Sequence, residues 1–172
     1  MRKRDENQAV MGAAALDTTA VFTIRPLEAG DREQLRRLFY RLSPTTVYRR
    51  FMSPIPQPSE PALDRLLDVD HCNREALAAV VDGDVVAVVR YVRGSRPEEA
   101  EIAIVVEDAW QHRGIGKLLL ALLARRAREH GVRAFTATML GDNRPAARLL
   151  KGLSEQARFE VSQGGVEAVV PL

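Results

Sequence analysis

The chain reads as one α/β domain, and three observations predict it. Two β-branched apolar runs, Ala76 to Val81 and Val85 to Val92, flank Asp82-Gly83-Asp84, the composition of a tight hairpin. A third apolar run, Ile102 to Val106, is too short for a helix and leads through a glycine-containing turn into a leucine-rich stretch with helical spacing. Further strand-like and helix-like segments alternate to the end of the chain, with no internal repeat.

Composition narrows the function classes. At 172 residues the chain fits one core-forming domain, read as 21–172 behind a disordered lead-in at 1–20. The lead-in is basic but interrupted by Asp5 and Glu6, and its apolar stretch is short and Ala-rich, unlike a signal peptide. A formal net charge of +2 and sparse aromatics argue against nucleic acid. The single cysteine, Cys72, excludes an intramolecular disulfide framework and a cysteine-rich metal site, so no metal is expected. No apolar run reaches membrane-spanning length, and a cytoplasmic location is the default expectation.

In order, Phe22 to Pro26 reads as the first strand. Asp31 opens a helix, with Gln34 placed for a capping box and Leu35, Leu38, Phe39 and Leu42 as its buried stripe. Ser43 caps a second helix with Pro44 at its first position, TTVYRRFM. The segment SPIPQPSEP at 53–61 is a surface connection, and Ser59 caps a short helix carrying Leu63, Leu66 and Leu67. The hairpin follows, then the turn GSRPEE and the third apolar run. The long helix carries Ile115, Leu118, Leu119, Leu122 and Leu123 on one face and stops at His130-Gly131. Arg133 to Leu140 is a strand, and Asn143 caps a helix from Arg144 to Lys151 that Gly152 ends. A hairpin around Gln163-Gly164-Gly165 closes the chain, leaving an exposed strand with which a second copy could pair as a homodimer.

The strand-to-helix junction, Gln111-His112-Arg113-Gly114-Ile115-Gly116-Lys117, has the composition of an anion site. Its glycines permit close backbone approach, the helix start offers unpaired N–H groups and a positive dipole end, and Arg113 and Lys117 add charge. A Walker loop requires Ser or Thr after its Gly-Lys pair, but Leu118 follows Lys117. A dinucleotide fingerprint requires Gly or Ala where Leu119 stands. What remains, Gln111-x-x-Gly114-x-Gly116 between a strand and a helix, resembles the acyl-CoA-binding motif of the GNAT N-acetyltransferase family. The AEIAIVV strand, the helix ending REHG and GDNRPAARLLKGL also resemble it, so the likeness covers roughly residues 22–170.

That resemblance implies a mixed, mostly antiparallel central sheet with a splayed parallel strand pair and helices on both faces. It implies acetyl-CoA as cosubstrate, with the pantetheine arm along Ile104, Val105 and Val106 and the pyrophosphate on the backbone from Arg113 to Lys117, beside Gln111 and His112. Asn143 would reach the pantetheine side. SPTTVYRRFM, VDHCNREALAAVVDGDVVAVVRYVR and AEIAIVVEDAWQHRGIG are similar to the acetyltransferase domain of bacterial protein-lysine acetyltransferases. Some of those carry a fused cyclic-nucleotide-binding or acyl-CoA-synthetase-like domain, for which 172 residues leave no length. Protein lysine is therefore the first expected acceptor and a small or aminoglycoside-like amine the second.

An ammonium nucleophile must lose a proton before attacking a thioester, and a carboxylate with a raised pKa suits that role. Glu101 opens an apolar strand, where desolvation would favour its neutral form, and it matches the acidic residue that this subgroup uses as base. The competing reading pairs it with Arg90 or Arg93 on the neighbouring strand, and Glu98 and Glu99 are secondary candidates. Where many family members place a Tyr after the Asn, this chain has Leu149 and Leu150. That departure keeps a rival in view, a non-catalytic acyl-CoA-binding or sensing module. Tyr48, Arg49, Arg50 and Phe51 either line the acceptor side or pack inward, while Arg125, Arg126 and Arg128 read as a solvated helix face.

Overall fold

Short turns join β-branched apolar runs into hairpins, helical connections carry the chain between them, and the result is one sheet. The computed structural model describes residues 14–15, 21–54 and 58–172. The strands are β1 (Ala14–Ala15), β2 (Val21–Pro26), β3 (Arg74–Val81), β4 (Asp84–Arg93), β5 (Glu99–Val106), β6 (Ala134–Met139), β7 (Arg158–Ser162) and β8 (Gly165–Pro171). They run in the spatial order β1-β2-β3-β4-β5-β6-β8-β7. Every pairing is antiparallel except that of β5 with β6. Apart from Ala14–Ala15, which pair with β2, the expected lead-in lies outside the described residues, as do residues 55–57 of the Pro-rich connection.

Among the described residues five α-helices cover the two faces: α1 (Arg32–Arg41), α2 (Pro44–Phe51), α3 (Glu60–Leu67), α4 (Ile115–Glu129) and α5 (Arg144–Leu153). On one face Leu35, Leu38 and Phe39 of α1 and Leu63 and Leu67 of α3 pack onto Ala76, Ala78, Val88 and Val105. On the other, Ile115, Leu119, Leu120, Leu123, Ala124 and Ala127 of α4 pack onto Leu77, Val89, Tyr91, Ile102 and Phe135. The most buried line of α4 thus passes through Leu120 and two alanines, while Leu118 and Leu122 are half-buried on its flanks. Small side chains let the helix axis approach the sheet there.

Four local expectations are corrected. Gln34 caps no helix: its amide donates to Gly83 O at 2.7 Å and accepts from Val85 N–H at 3.3 Å, tying α1 to the β3–β4 hairpin. Asp31 instead accepts from Glu28 N–H and holds Arg25 through two bonds of 2.7 and 2.6 Å. Gly152 lies inside α5, which continues to Leu153. The third apolar strand starts at Glu99, earlier than its apolar residues indicate.

One irregularity positions the site. β5 and β6 pair only through Glu99↔Ala134, Ala100↔Phe135 and Glu101↔Thr136. Beyond that point Ile102 to Val106 stay with β4, while Ala137 to Met139 stay with β8. The two parallel strands therefore diverge into a V whose last paired residue on β5 is Glu101.

Candidate active site

The loop after β5 is anchored from beneath. Glu107 is buried and accepts from Arg41 Nε at 2.9 Å, while Arg41 Nη2 also donates to Val85 O at 2.8 Å. A one-turn 3₁₀ segment, Asp108–Trp110, follows. Gln111 then turns back: its Nε2 donates to Val106 O at 3.0 Å and Thr46 Oγ1 at 3.2 Å. His112 (φ 61°) and Gly114 (φ 80°) both sit in the left-handed region, and Gly114 is the N-cap of α4. The first bond into the helix is Leu118 N–H to Gly114 O at 3.1 Å. Among the described residues, the backbone N–H groups from Arg113 to Lys117 have no protein acceptor, leaving a row of donors at the positive end of a four-turn helix. Arg113 stacks on Trp110 at 4.8 Å.

The open side of the V faces this row. Glu107 N–H bonds to Val86 O at 2.9 Å, so by ladder alternation the backbone groups of Val105 face β4 and those of Ile104 and Val106 face the gap. Gln111 occupies Val106 O, which leaves the Ile104 peptide groups and the Val106 N–H as the free edge. A cleft of about 530 Å³ follows that edge, lined by Ile104, Val106, Gln111, the 114–117 segment, Asn143 and Leu149. Val105 and His112 also border it. A Cβ on Gly116 would sit 3.5 Å from Ile104 Cδ1, 3.6 Å from Leu149 Cδ2 and 3.7 Å from Val106 Cγ2, ordinary contacts that place this residue at the floor of the gap. The Asn143 carboxamide oxygen accepts from Ala146 N–H at 3.3 Å and caps α5. An extended chain bearing amide groups and ending in a pyrophosphate, as in coenzyme A, fits this edge-plus-donor arrangement.

On the opposite face of the sheet, a second cavity of about 490 Å³ lies among α1, α2, α3 and β5, and Glu101 lines it. Arg50 lines both spaces. The Glu101 side chain is exposed rather than desolvated, because a strand end at the mouth of a cavity is open to water even where its strand neighbours are buried. It pairs with neither candidate arginine: Arg90 Nη1 donates to Arg65 O at 2.7 Å, and Arg93 donates to His130 O. Glu99 is held by Arg96 at 3.1 Å, away from the cavity. Burial, followed by repulsion from Arg90, lowers the Arg50 guanidinium to about 10, against the opposing pull of Glu101.

A hydrogen-bond network that sequence reasoning missed joins the two spaces. The Asp108 carboxylate accepts from Ser43 N–H (2.9 Å), Ser43 Oγ (2.7 Å) and Thr46 Oγ1 (2.8 Å) at the start of α2. Burial alone would raise its pKa, but these bonds outweigh it and hold the carboxyl below its ordinary range. Thr46 in turn receives Gln111, so α2 is fastened to the loop that lines the cleft. The only advance signal was the Ser43 cap, which accepts from Thr46 N–H at 3.2 Å as expected.

Elsewhere the side chains divide. Tyr48 is exposed, whereas Val47 and Phe51 line the second cavity and Arg49 the cleft. Arg125 and Arg128 are exposed, but Arg126 turns inward to the buried Glu75 at 2.8 Å. Cys72 is exposed and lines neither cavity. Among the described residues no helix is long and apolar enough to cross a membrane.

Comparison with known proteins agrees with this fold. The family described as "Acetyltransferase (GNAT) family" matches residues 36–153. Acetyltransferase PA5475 of Pseudomonas aeruginosa is 34% identical over 134 residues, covering 76% of this chain and 72% of that protein. Acetyltransferase Pat of Mycolicibacterium smegmatis is 34% identical over 135 residues, covering 77% of this chain but only 40% of Pat. The crystal structure of the GNAT domain of S. lividans PAT has a TM-score of 0.85 at 29% identity, covering 94% of this chain and 97% of that one.

Proposed function

The chain belongs to the acetyltransferase (GNAT) family of acetyl-CoA-dependent acyltransferases, and on that premise we propose that it acetylates a primary amine by direct transfer with Glu101 as general base. A protein lysine is the first acceptor, on the resemblance of the SPTTVYRRFM and AEIAIVVEDAWQHRGIG segments to protein-lysine acetyltransferase domains, and a small-molecule amine the second. The observation that carries the mechanism is the position of Glu101. It is the last β5 residue paired with β6, at the apex of the V, and it faces the cavity across the sheet from the α4 donor row.

Acetyl-CoA supplies an activated acetyl thioester. The N–H groups from Arg113 to Lys117 bind its pyrophosphate, and the free edge at Ile104 and Val106 orients its pantetheine arm. Gln111 holds that edge in place through Val106 O. Glu101, directly or through one water, takes one proton from the acceptor ammonium, the freed amine lone pair forms the C–N bond as the C–S bond breaks, and CoA leaves as a thiolate that takes up the second nitrogen proton through solvent. Edge N–H groups stabilise the charge developing on the acyl oxygen. On α5, Leu149 borders the cleft and Leu150 is buried, and as aliphatic side chains neither has a proton to offer the departing sulfur. Among the described residues no cysteine lines either space, since Cys72 lies in neither, and the Thr46 hydroxyl at the cleft already donates to Asp108, so we read the transfer as direct, without a covalent enzyme intermediate.

The test follows CoA release from acetyl-CoA over a panel of lysine peptides and small amines, comparing wild type with Glu101→Gln. Acceptor-dependent release that falls about a hundredfold in the variant, with an unchanged melting temperature, is the expected result. Release that survives the substitution removes Glu101 as base. Tight acetyl-CoA binding with no release for any acceptor identifies a sensing module instead.

A further inference from the structure

The cavity that Glu101 faces is unusually cationic for a site that must receive an amine. Arg50, Arg65, Arg74 and Arg90 line it, against Asp68 and Glu101. Donors without acceptors recur among these arginines, and Arg50 shares its charge balance with Arg90 and Glu101. Arg50 makes no hydrogen bond or ion pair among the described residues; its guanidinium stacks on Phe51 at 4.8 Å. Arg90 spends Nη1 on Arg65 O at 2.7 Å, while its buried Nε has no partner. Arg74 also has an unpartnered buried Nε, but its Nη atoms are already held by Asp68 (3.3 Å) and Asp70 (3.5 Å), so it is the less available. A buried guanidinium donor without an acceptor, as at Arg90 Nε, is costly, and a carboxylate satisfies a guanidinium fork with two parallel bonds. Burial and the nearby Arg90 already depress the Arg50 guanidinium, a strain that an arriving anion relieves.

We propose that the acceptor is a primary amine that also carries a carboxylate, bound by Arg50 and Arg90 while the amine nitrogen faces Glu101. The same guanidiniums repel polycationic amines, so aminoglycoside-like and polyamine acceptors are disfavoured. This rests on the acetyl-transfer reading above and refines its acceptor. The carboxylate has two sources, a free amino acid or an Asp or Glu beside a lysine in a polypeptide, and the cavity volume lies within the range of small-ligand sites.

The experiment measures kcat/KM for acceptor pairs that differ only in carboxylate against carboxamide. One arm uses free α-amino acids and their amides, the other lysine peptides with a neighbouring Asp or Asn. The expected result is a preference for the acid member of about tenfold or more in at least one arm, the arm showing it naming the source. Arg90→Gln is expected to reduce that ratio to within about threefold, and Arg90→Lys to restore part of it. Because both members of a pair share the same acetyl-CoA, the ratio cancels any effect of Arg50→Gln on the cleft, and that variant is expected to lose the preference too. Amines acetylated without acid preference in either arm overturn this inference and leave acetyl transfer standing. An acid preference that persists in both Gln variants overturns the assignment to Arg50 and Arg90, and if neither variant folds, the wild-type ratio alone decides. Absence of acetylation in every arm refutes the acetyl-transfer reading and this inference with it.

Discussion

Two glycines in one short motif differ in what a β-carbon would meet. Gly114 has φ 80°, a conformation that costs a β-carbon-bearing residue about 1–2 kcal/mol. Gly116 lies in the first turn of α4 with ordinary van der Waals space for one methyl group. Gly114→Ala is therefore expected to lower stability by about 1–2 kcal/mol. Gly116→Ala is expected to be neutral or to add about 0.5–1 kcal/mol through helix propensity. Urea unfolding of the two variants side by side tests the contrast, and equal losses would refute it. Gln111 is the third informative position, because its amide joins Val106 O to Thr46. Gln111→Ala is expected to raise the KM for acetyl-CoA about fivefold to tenfold, with about 1 kcal/mol of stability lost. A variant with unchanged KM would show that the β5 edge needs no such brace.

Among the elements, α2 contributes little to the core, since none of its residues is fully buried. Beyond the partly buried Val47 and Phe51, its hold on the molecule comes from Ser43 and Thr46, both bonded to Asp108. That makes the attachment pH-dependent with a definite sign. The Asp108 pKa is depressed in the fold below its ordinary 3.8, so the ionised carboxylate stabilises the protein above that value. The contribution disappears as pH falls through the folded-state value. Asp70 adds to the same acid limb: the Arg74 N–H first, then those of Cys72 and Asn73, lower it to about 2. Asp108→Asn is expected to cost roughly 1 kcal/mol at pH 7, the low end for a charged hydrogen-bond acceptor because the side chain is exposed. The difference from wild type should shrink as pH is lowered below the carboxylate range, read as urea midpoints at successive pH values. A constant difference across the series would exclude the linkage.

For the molecule as a whole, one sheet is shared by two apolar layers. Leu38 belongs to the layer beneath α1 and α3, and Leu119 to the layer beneath α4; each is 0% exposed. β3, β4 and β5 contribute side chains to both. Leu38→Ala and Leu119→Ala are each expected to cost about 2–5 kcal/mol and to leave a single unfolding transition. Far-UV circular dichroism and Trp110 fluorescence should then give coincident curves. Separate transitions for the two probes would mean that the layers melt independently.

Local pattern was enough to place most of this architecture. The β3–β4 hairpin around Asp82-Gly83, the Ser43 and Ser59 caps and the glycine junction before α4 all depend on residues adjacent in the chain, where side-chain spacing and backbone conformation act directly. The splay of β5 from β6 was available only through the family resemblance, because strand divergence leaves no periodic mark. Where contacts join distant segments, local reading failed. Gln34 left its expected cap for the β3–β4 hairpin, and Arg126 left the solvated face for buried Glu75. An apolar strand made Glu101 read as desolvated, yet its true surroundings are a water-accessible cavity walled by α2 and α3, far from it in sequence. Identity and spacing specify which face a residue joins and which chemistry it offers. The charge and water around it depend on the side chains that packing brings from elsewhere, and here that decides how Glu101, Arg50 and Arg90 meet.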